Sequence, residues 1–181
     1  MSIENSNSVS DSANTTNTDN TIAAVSEGEL LQLVSFVVGD EEFAVPILSV
    51  QEINRMMQIT RVPQSPEYVE GVINLRGKII PVIDLRKRFS MGELKDTTDA
   101  RIIVVEVDNR VIGFTVDRVN EVLRINSDIV DPPPSICSNI STDYIQGVGK
   151  LNDRLLIMLN LEKLFADYDI DELEHISKAA A

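Results

Sequence analysis

A mainly β fold built as two related small barrels is what the sequence predicts, and three observations carry the prediction. Short β-rich runs recur at 31–38, 42–45, 71–75, 78–83, 101–107, 111–116, 146–151 and 154–159, separated by turn-forming pairs such as Gly39-Asp40, Asp108-Asn109 and Asn152-Asp153. No long amphipathic helix alternates with these runs, which argues for small antiparallel barrels over an α/β sheet. The chain also repeats itself. Residues 68–89 align without a gap to 144–165 with seven identities in twenty-two, and 43–53 align to 112–122, ending in Val50-Gln51-Glu52-Ile53 against Val119-Asn120-Glu121-Val122. The offset is 69 in the upstream block and 76 in the downstream one, so the halves differ by a seven-residue insertion near 127–140.

Taken in order, residues 1–28 hold fifteen Ser, Thr or Asn, four acids and no Lys or Arg. Too little apolar surface is present there to offset the ordering entropy, so a disordered tail is expected. The first hairpin spans 31–45. Ser65-Pro66 reads as a helical N-cap followed by proline, with Gly71 ending that turn, and Ser141 and Gly147 repeat the arrangement. Each turn feeds a hairpin whose apolar positions match across the copies: Val72, Leu75 and Ile79 against Val148, Leu151 and Leu155, all expected in the core. Residues 169–181 form an acidic end in which Asp169 caps a short amphipathic helix carrying Ile170, Leu173 and Ile176. The organisation expected is therefore a tail over 1–28, a folded body over 29–168 with repeats at about 31–95 and 100–165, chain exchange between them being allowed, and a helical tail over 169–181.

Composition removes several functional classes. The chain has 181 residues, 43% of them hydrophobic, with a formal net charge of −13, one Cys, one His and no Trp. It is long enough to bury roughly two-thirds of its extended surface without a disulfide or structural metal. No run approaches the ~20 apolar residues of a membrane span, and the N-terminus lacks a basic flank and apolar signal core, so a soluble cytoplasmic protein is expected. The two ends carry eight of the thirteen net negative charges and leave the body at −5, a field that repels nucleic-acid phosphates. Catalytic, cofactor and metal residues are not expected. His175 lies on the predicted terminal helix, Cys137 follows the Pro132–Pro134 run with no His beside it, and Gly147-Val-Gly-Lys150 lacks phosphate-loop spacing. Asp40-Glu41-Glu42 are consecutive on a hairpin tip and cannot converge on a cation.

The hairpin tips are where the copies disagree. The second has Asn152-Asp153, which tolerate positive φ. The first has Arg76-Gly77, in which Gly77 serves the turn but a long cation gains nothing from it. Read alone, Arg76 is either a solvated surface residue or a projecting contact for a partner's polar group.

The run Gly71-Val-Ile-Asn-Leu-Arg-Gly-Lys-Ile-Ile-Pro-Val-Ile-Asp-Leu85, with Leu33–Phe36, Gly39–Phe43, Val50–Ile53, Val111–Asp117 and Asp153–Leu156, closely resembles the CheW family of bacterial chemotaxis coupling proteins over residues 29–168. The resemblance implies two related five-stranded SH3-like β-barrels sharing a hydrophobic core, with short helices and a C-terminal helix. It implies no catalysis and no cofactor. It also implies binding to the regulatory domain of a CheA-type histidine kinase, to the cytoplasmic tip of methyl-accepting chemoreceptors, and to other CheW-like domains in rings, at the inner face of the membrane without insertion. Residue by residue it assigns partner contacts to Arg76 with Gly71, Asn74, Leu75 and Gly77 around it, to Val50 and Glu52 near a groove between the barrels, and to Val122 in the second barrel. Gly71, Gly77 and Val50 also have purely structural readings as turn and core residues. The competing functions are coupling in a twitching-motility or other non-flagellar pathway, a small-barrel nucleic-acid binder, which an acidic body with few aromatics disfavours, and a nucleotide-hydrolysing protein.

Overall fold

A computed structural model describes residues 28–92, 97–134 and 142–166. The expected N-terminal tail, apart from Gly28, lies outside them, as do the helix over 169–181, Cys137 and His175. The chain opens with a hairpin of β1 (Leu30–Val38) and β2 (Glu41–Pro46), then a 3-10 turn at Ile47–Ser49 and β3 (Val50–Arg55). A second hairpin joins β4 (Val69–Leu75) to β5 (Lys78–Asp84), followed by the one-turn helix α1 (Leu85–Arg88). The second half repeats the plan with β6 (Arg101–Val107), β7 (Arg110–Val116), β8 (Arg118–Asn126), the two-residue β9 (Val130–Asp131), β10 (Ile145–Leu151), β11 (Arg154–Leu159) and α2 (Leu161–Ala166). No helix among the described residues is long and apolar enough to cross a membrane.

The strands form two sheets, ordered β8-β1-β2-β11-β10-β9 and β3-β6-β7-β5-β4. Each sheet draws a leading hairpin from one half and the rest from the other. The β1–β2 hairpin joins β8, β10 and β11, while β6–β7 joins β3, β4 and β5, so the halves 31–95 and 100–165 exchange strands reciprocally. The halves meet at two pairings in each sheet: the antiparallel β1–β8 and β3–β6, and the parallel β2–β11 and β5–β7, where Phe43 lies opposite Ile157 and Ile83 opposite Phe114. β9 makes the first sheet six-stranded; its counterpart in the other is the single bridge Thr60–Val72.

Both faces of the central strands are buried, and successive residues serve different cores. Val34, Phe36 and Val38 of β1 join the shared core, whereas Leu33 faces the interior of its own barrel. Likewise Ile103 and Val105 of β6 enter the shared core, while Ile102 and Val104 line the second barrel with Ile73, Ile80 and Val82. All five phenylalanines of the chain lie in the shared core, with Phe36, Phe43 and Phe89 in a stacked run at centroid spacings of 6.1 and 5.4 Å. Buried Asp84 caps α1, its Oδ1 accepting from the Arg86 and Lys87 N–H groups at 2.8 and 3.3 Å.

Three expectations need correction. Leu155 is 59% exposed, because it sits at the hairpin end of β11, and on its face packing against the shared core begins only at Ile157. No helical turn follows Ser65: that stretch is a turn closed by the Val69 N–H donating to the Pro66 carbonyl, and only the second copy makes a 3-10 turn, at Thr142–Tyr144. Gly71 and Gly147 do not end turns. Gly71, at φ +148, sits inside β4, where a Cβ would lie 2.2 Å from the Thr60 carbonyl oxygen, and a Cβ on Gly147 would meet Val130 at 2.6 Å. In both copies the missing side chain lets another segment pair closely with the hairpin.

Candidate functional site

The tip of the β4–β5 hairpin is a two-residue turn between the paired residues Leu75 and Lys78. Arg76 and Gly77 both have positive φ, 53° and 83°, the type I′ geometry that matches strand twist. The Asn74 side-chain oxygen accepts the Gly77 N–H at 2.9 Å and pins the bend. A Cβ on Gly77 would meet nothing, so its backbone angle alone calls for glycine. Arg76 occupies a left-handed position that costs a side-chain-bearing residue roughly 1–2 kcal/mol.

Its guanidinium pairs with Glu52 in two places, Nη1 to Oε1 at 3.0 Å and Nη2 to Oε2 at 3.3 Å. β3 and β4 are opposite edges of the second sheet, so this pair spans the open seam of the barrel. Asn54 Nδ2 donates to Glu52 Oε2 at 3.5 Å. The Arg76 side chain is 79% exposed, and an ion pair so wet contributes about 0.2–1 kcal/mol. That at best offsets the backbone cost, so the fold gains little from having arginine here.

The other barrel reinforces the point. Glu121, the repeat counterpart of Glu52, pairs with Arg154 at 2.6 Å, and Arg154 also reaches Glu42 at 3.5 Å. Arg154 is the counterpart of Lys78, while the tip counterpart of Arg76 is Asn152, at φ 41°. An arginine–carboxylate pair at a barrel seam therefore does not require arginine at the tip.

Around this one tip the structure gathers Glu52, Asn74, Leu75, Arg76 and Gly77. Leu75 is half-buried against the second barrel's interior. Gly71 lies farther along the same hairpin, and Val50, two residues before Glu52, is half-buried against the shared core. Val122 is not part of the tip: it sits on β8, an edge strand of the other sheet, opposite Val34 and 56% exposed.

Sequence reasoning missed two residues. Asn54 supports Glu52 from the same strand face, and an alternating polar reading of β3 would have found it. Leu48, at the crossing from β2 to β3, is 97% exposed; with Leu30 it borders a shallow hollow of about 270 Å³ lined also by Leu31, Leu33, Ile47 and Met158. Its signal was in the repeat, which sets Leu48 against Asp117. Among the described residues no three His, Cys, Asp or Glu side chains converge to hold a metal ion. The tip offers projecting polar and apolar contacts.

Comparison with known proteins bears on the family and the overall fold. Residues 32–169 match the family model of the CheW-like domain. The chain is 42% identical over 136 residues to the chemotaxis protein CheW of Helicobacter pylori, covering 75% of this chain and 82% of that protein. It is 34% identical over 148 residues to CheW of Klebsiella aerogenes, covering 82% and 89%. The crystal structure of the scaffolding protein TtCheW from Thermoanaerobacter tengcongensis superposes with a TM-score of 0.72 at 39% identity, covering 78% of this chain and 95% of the other.

Proposed function

The chain belongs to the CheW family of chemotaxis proteins, and from that premise we propose that it is a non-enzymatic adaptor that couples transmembrane chemoreceptors to a CheA-type histidine kinase. It acts in the cytoplasm, at the receptors' cytoplasmic tips, and holds the kinase's regulatory domain beside them. The observation that supports this reading best is Arg76: a left-handed, largely exposed arginine, backed by Glu52, for which the fold itself has little use.

A receptor tip is a helical hairpin, and its docking is helix-in-groove recognition with a few apolar anchors and a polar rim. Arg76 supplies a planar head with five donors, of which Glu52 occupies two, so the remainder face outward toward a partner. Glu52 holds the guanidinium in one orientation and lowers the entropy lost on binding. Val50 and Val122 supply apolar contact from the two barrels. The exposed Leu48–Leu30 hollow is a separate apolar face, and an adaptor needs two faces so that both partners bind at once. Linkage then sets the coupling: whatever factor receptor binding applies to the adaptor's affinity for the kinase, kinase binding applies to its affinity for the receptor.

The test is a reconstitution of receptor tips in vesicles, kinase and this protein. The reading expects receptor-dependent stimulation of kinase autophosphorylation only when the protein is present, and no phosphate release from ATP by the protein alone. Kinase activity indifferent to its addition would reject the adaptor role.

A further inference from the structure

The duplication gives most residues a counterpart, and at one place the two counterparts are built oppositely. Arg86, on α1, lies against the crossing from β7 to β8. Its Nε and Nη2 donate to Asp117 Oδ1 and Oδ2 at 2.8 and 2.5 Å, and Asp117 Oδ2 also accepts the Gly39 N–H of the β1–β2 turn at 2.9 Å. The niche between helix start, hairpin turn and crossing is thus filled by a guanidinium from within the chain. In the other half the counterpart of Arg86 is Glu162, that of Asp117 is Leu48 and that of Gly39 is Asp108. There the same niche is an open cavity of about 340 Å³, walled by Glu106, Asp108 and Glu162 with Ser49 and Asn160, and no Lys or Arg among the described residues lines it.

We propose that this second niche takes an arginine side chain presented by a partner protein, completing from outside the pairing that Arg86 completes from inside. The filled counterpart shows that this junction of turn, crossing and helix start accommodates a guanidinium. The acceptors in the open copy sit on three different elements and do not converge on the point a metal ion needs. Five donors in a rigid planar fork suit such dispersed acceptors, whereas a lysine offers one compact charge. Glu106 is already oriented, its Oε2 accepting from Gln51 Nε2. Pro46, Leu159 and Leu161 supply apolar lining for the aliphatic stem of an incoming side chain.

The test needs neither kinase nor receptor, so it can fail without touching the adaptor reading. Full-length ¹⁵N-labelled protein is titrated with N-acetyl-arginine amide, with N-acetyl-lysine amide and sodium chloride at matched ionic strength as controls. Expected are saturable shifts at the amides of residues 106–108 and 160–162, at least about threefold weaker with the lysine compound. The double variant Leu48→Asp/Glu162→Arg rebuilds the internal pair and should abolish them. Asp108→Asn, which keeps a residue tolerant of the left-handed turn, and Glu162→Gln guard against misfolding of the double variant. Each should weaken the arginine response without moving the unfolding midpoint. Shifts that follow ionic strength alone, that are equal for both compounds, or that persist unchanged in these variants would overturn the proposal.

Discussion

Replacing Arg76 by Asn, the residue at the equivalent tip of the second hairpin (Asn152), should separate what the fold needs from what a partner needs. Asparagine adopts the left-handed conformation more readily, returning about 1 kcal/mol of the backbone cost at φ 53°. Loss of the exposed pair with Glu52 takes away about 0.2–1 kcal/mol. The two nearly cancel, so the free energy of unfolding in urea should change by less than about 0.5 kcal/mol. Binding should behave differently. If Arg76 is an anchoring contact, its removal costs about 2 kcal/mol, roughly thirtyfold in Kd, for the kinase regulatory domain, the receptor tip or both. Parallel urea unfolding and calorimetric titration would check this. A variant destabilised by more than about 2 kcal/mol, or one binding both partners within about twofold of the parent, would refute the reasoning.

Three further outcomes follow from the same structure. Burial raises the Asp84 carboxyl above the ordinary aspartate value, outweighing its bonds from the Lys87 and Arg86 amides, so its contribution to stability is full below about pH 3.9 and is lost as pH rises through the raised folded-state value. Asp84→Asn keeps a cap oxygen and should be at least as stable as the parent at pH 7, its advantage shrinking toward pH 4 in urea unfolding, whereas Asp84→Ala should lose about 1 kcal/mol. Gly71→Ala drives a methyl into the Thr60 carbonyl at a strained φ and breaks the paired bonds between Thr60 and Val72 of 2.9 and 2.8 Å; a loss of about 2–4 kcal/mol by urea or thermal unfolding is expected. Arg86→Met leaves the mostly buried Asp117 without its guanidinium and should cost about 2 kcal/mol, measured the same way.

The parts of this fold legible in the sequence are those set by local chemistry. Turn pairs such as Asp108-Asn109, both at positive φ, mark the hairpins they form, and the repeat exposed the matching hairpin pairs. β3 and β8 were not expected as strands, because as exposed edges they carry few core residues and no turn pair sets them off from the hairpins before them. The exchange of strands between halves was allowed but not specified, since it rests on pairings between distant segments, β1 with β8, β3 with β6, β2 with β11 and β5 with β7, that no local pattern encodes. Gly71 and Gly147 were visible as required glycines but assigned to turns, because close approach of a distant segment leaves no trace beside them in the chain. At the candidate site Arg76 stood out as a residue its turn did not need. Its pairing with Glu52 did not, because the two meet only when the barrel curls until its edge strands face each other.

The adaptor reading is tested most directly by calorimetric titration of the folded protein with the regulatory domain of each chemotaxis kinase encoded in the same genome. Saturable one-to-one binding to one of them is the predicted result. Absence of binding to every such kinase, with the protein shown to be folded, would contradict it.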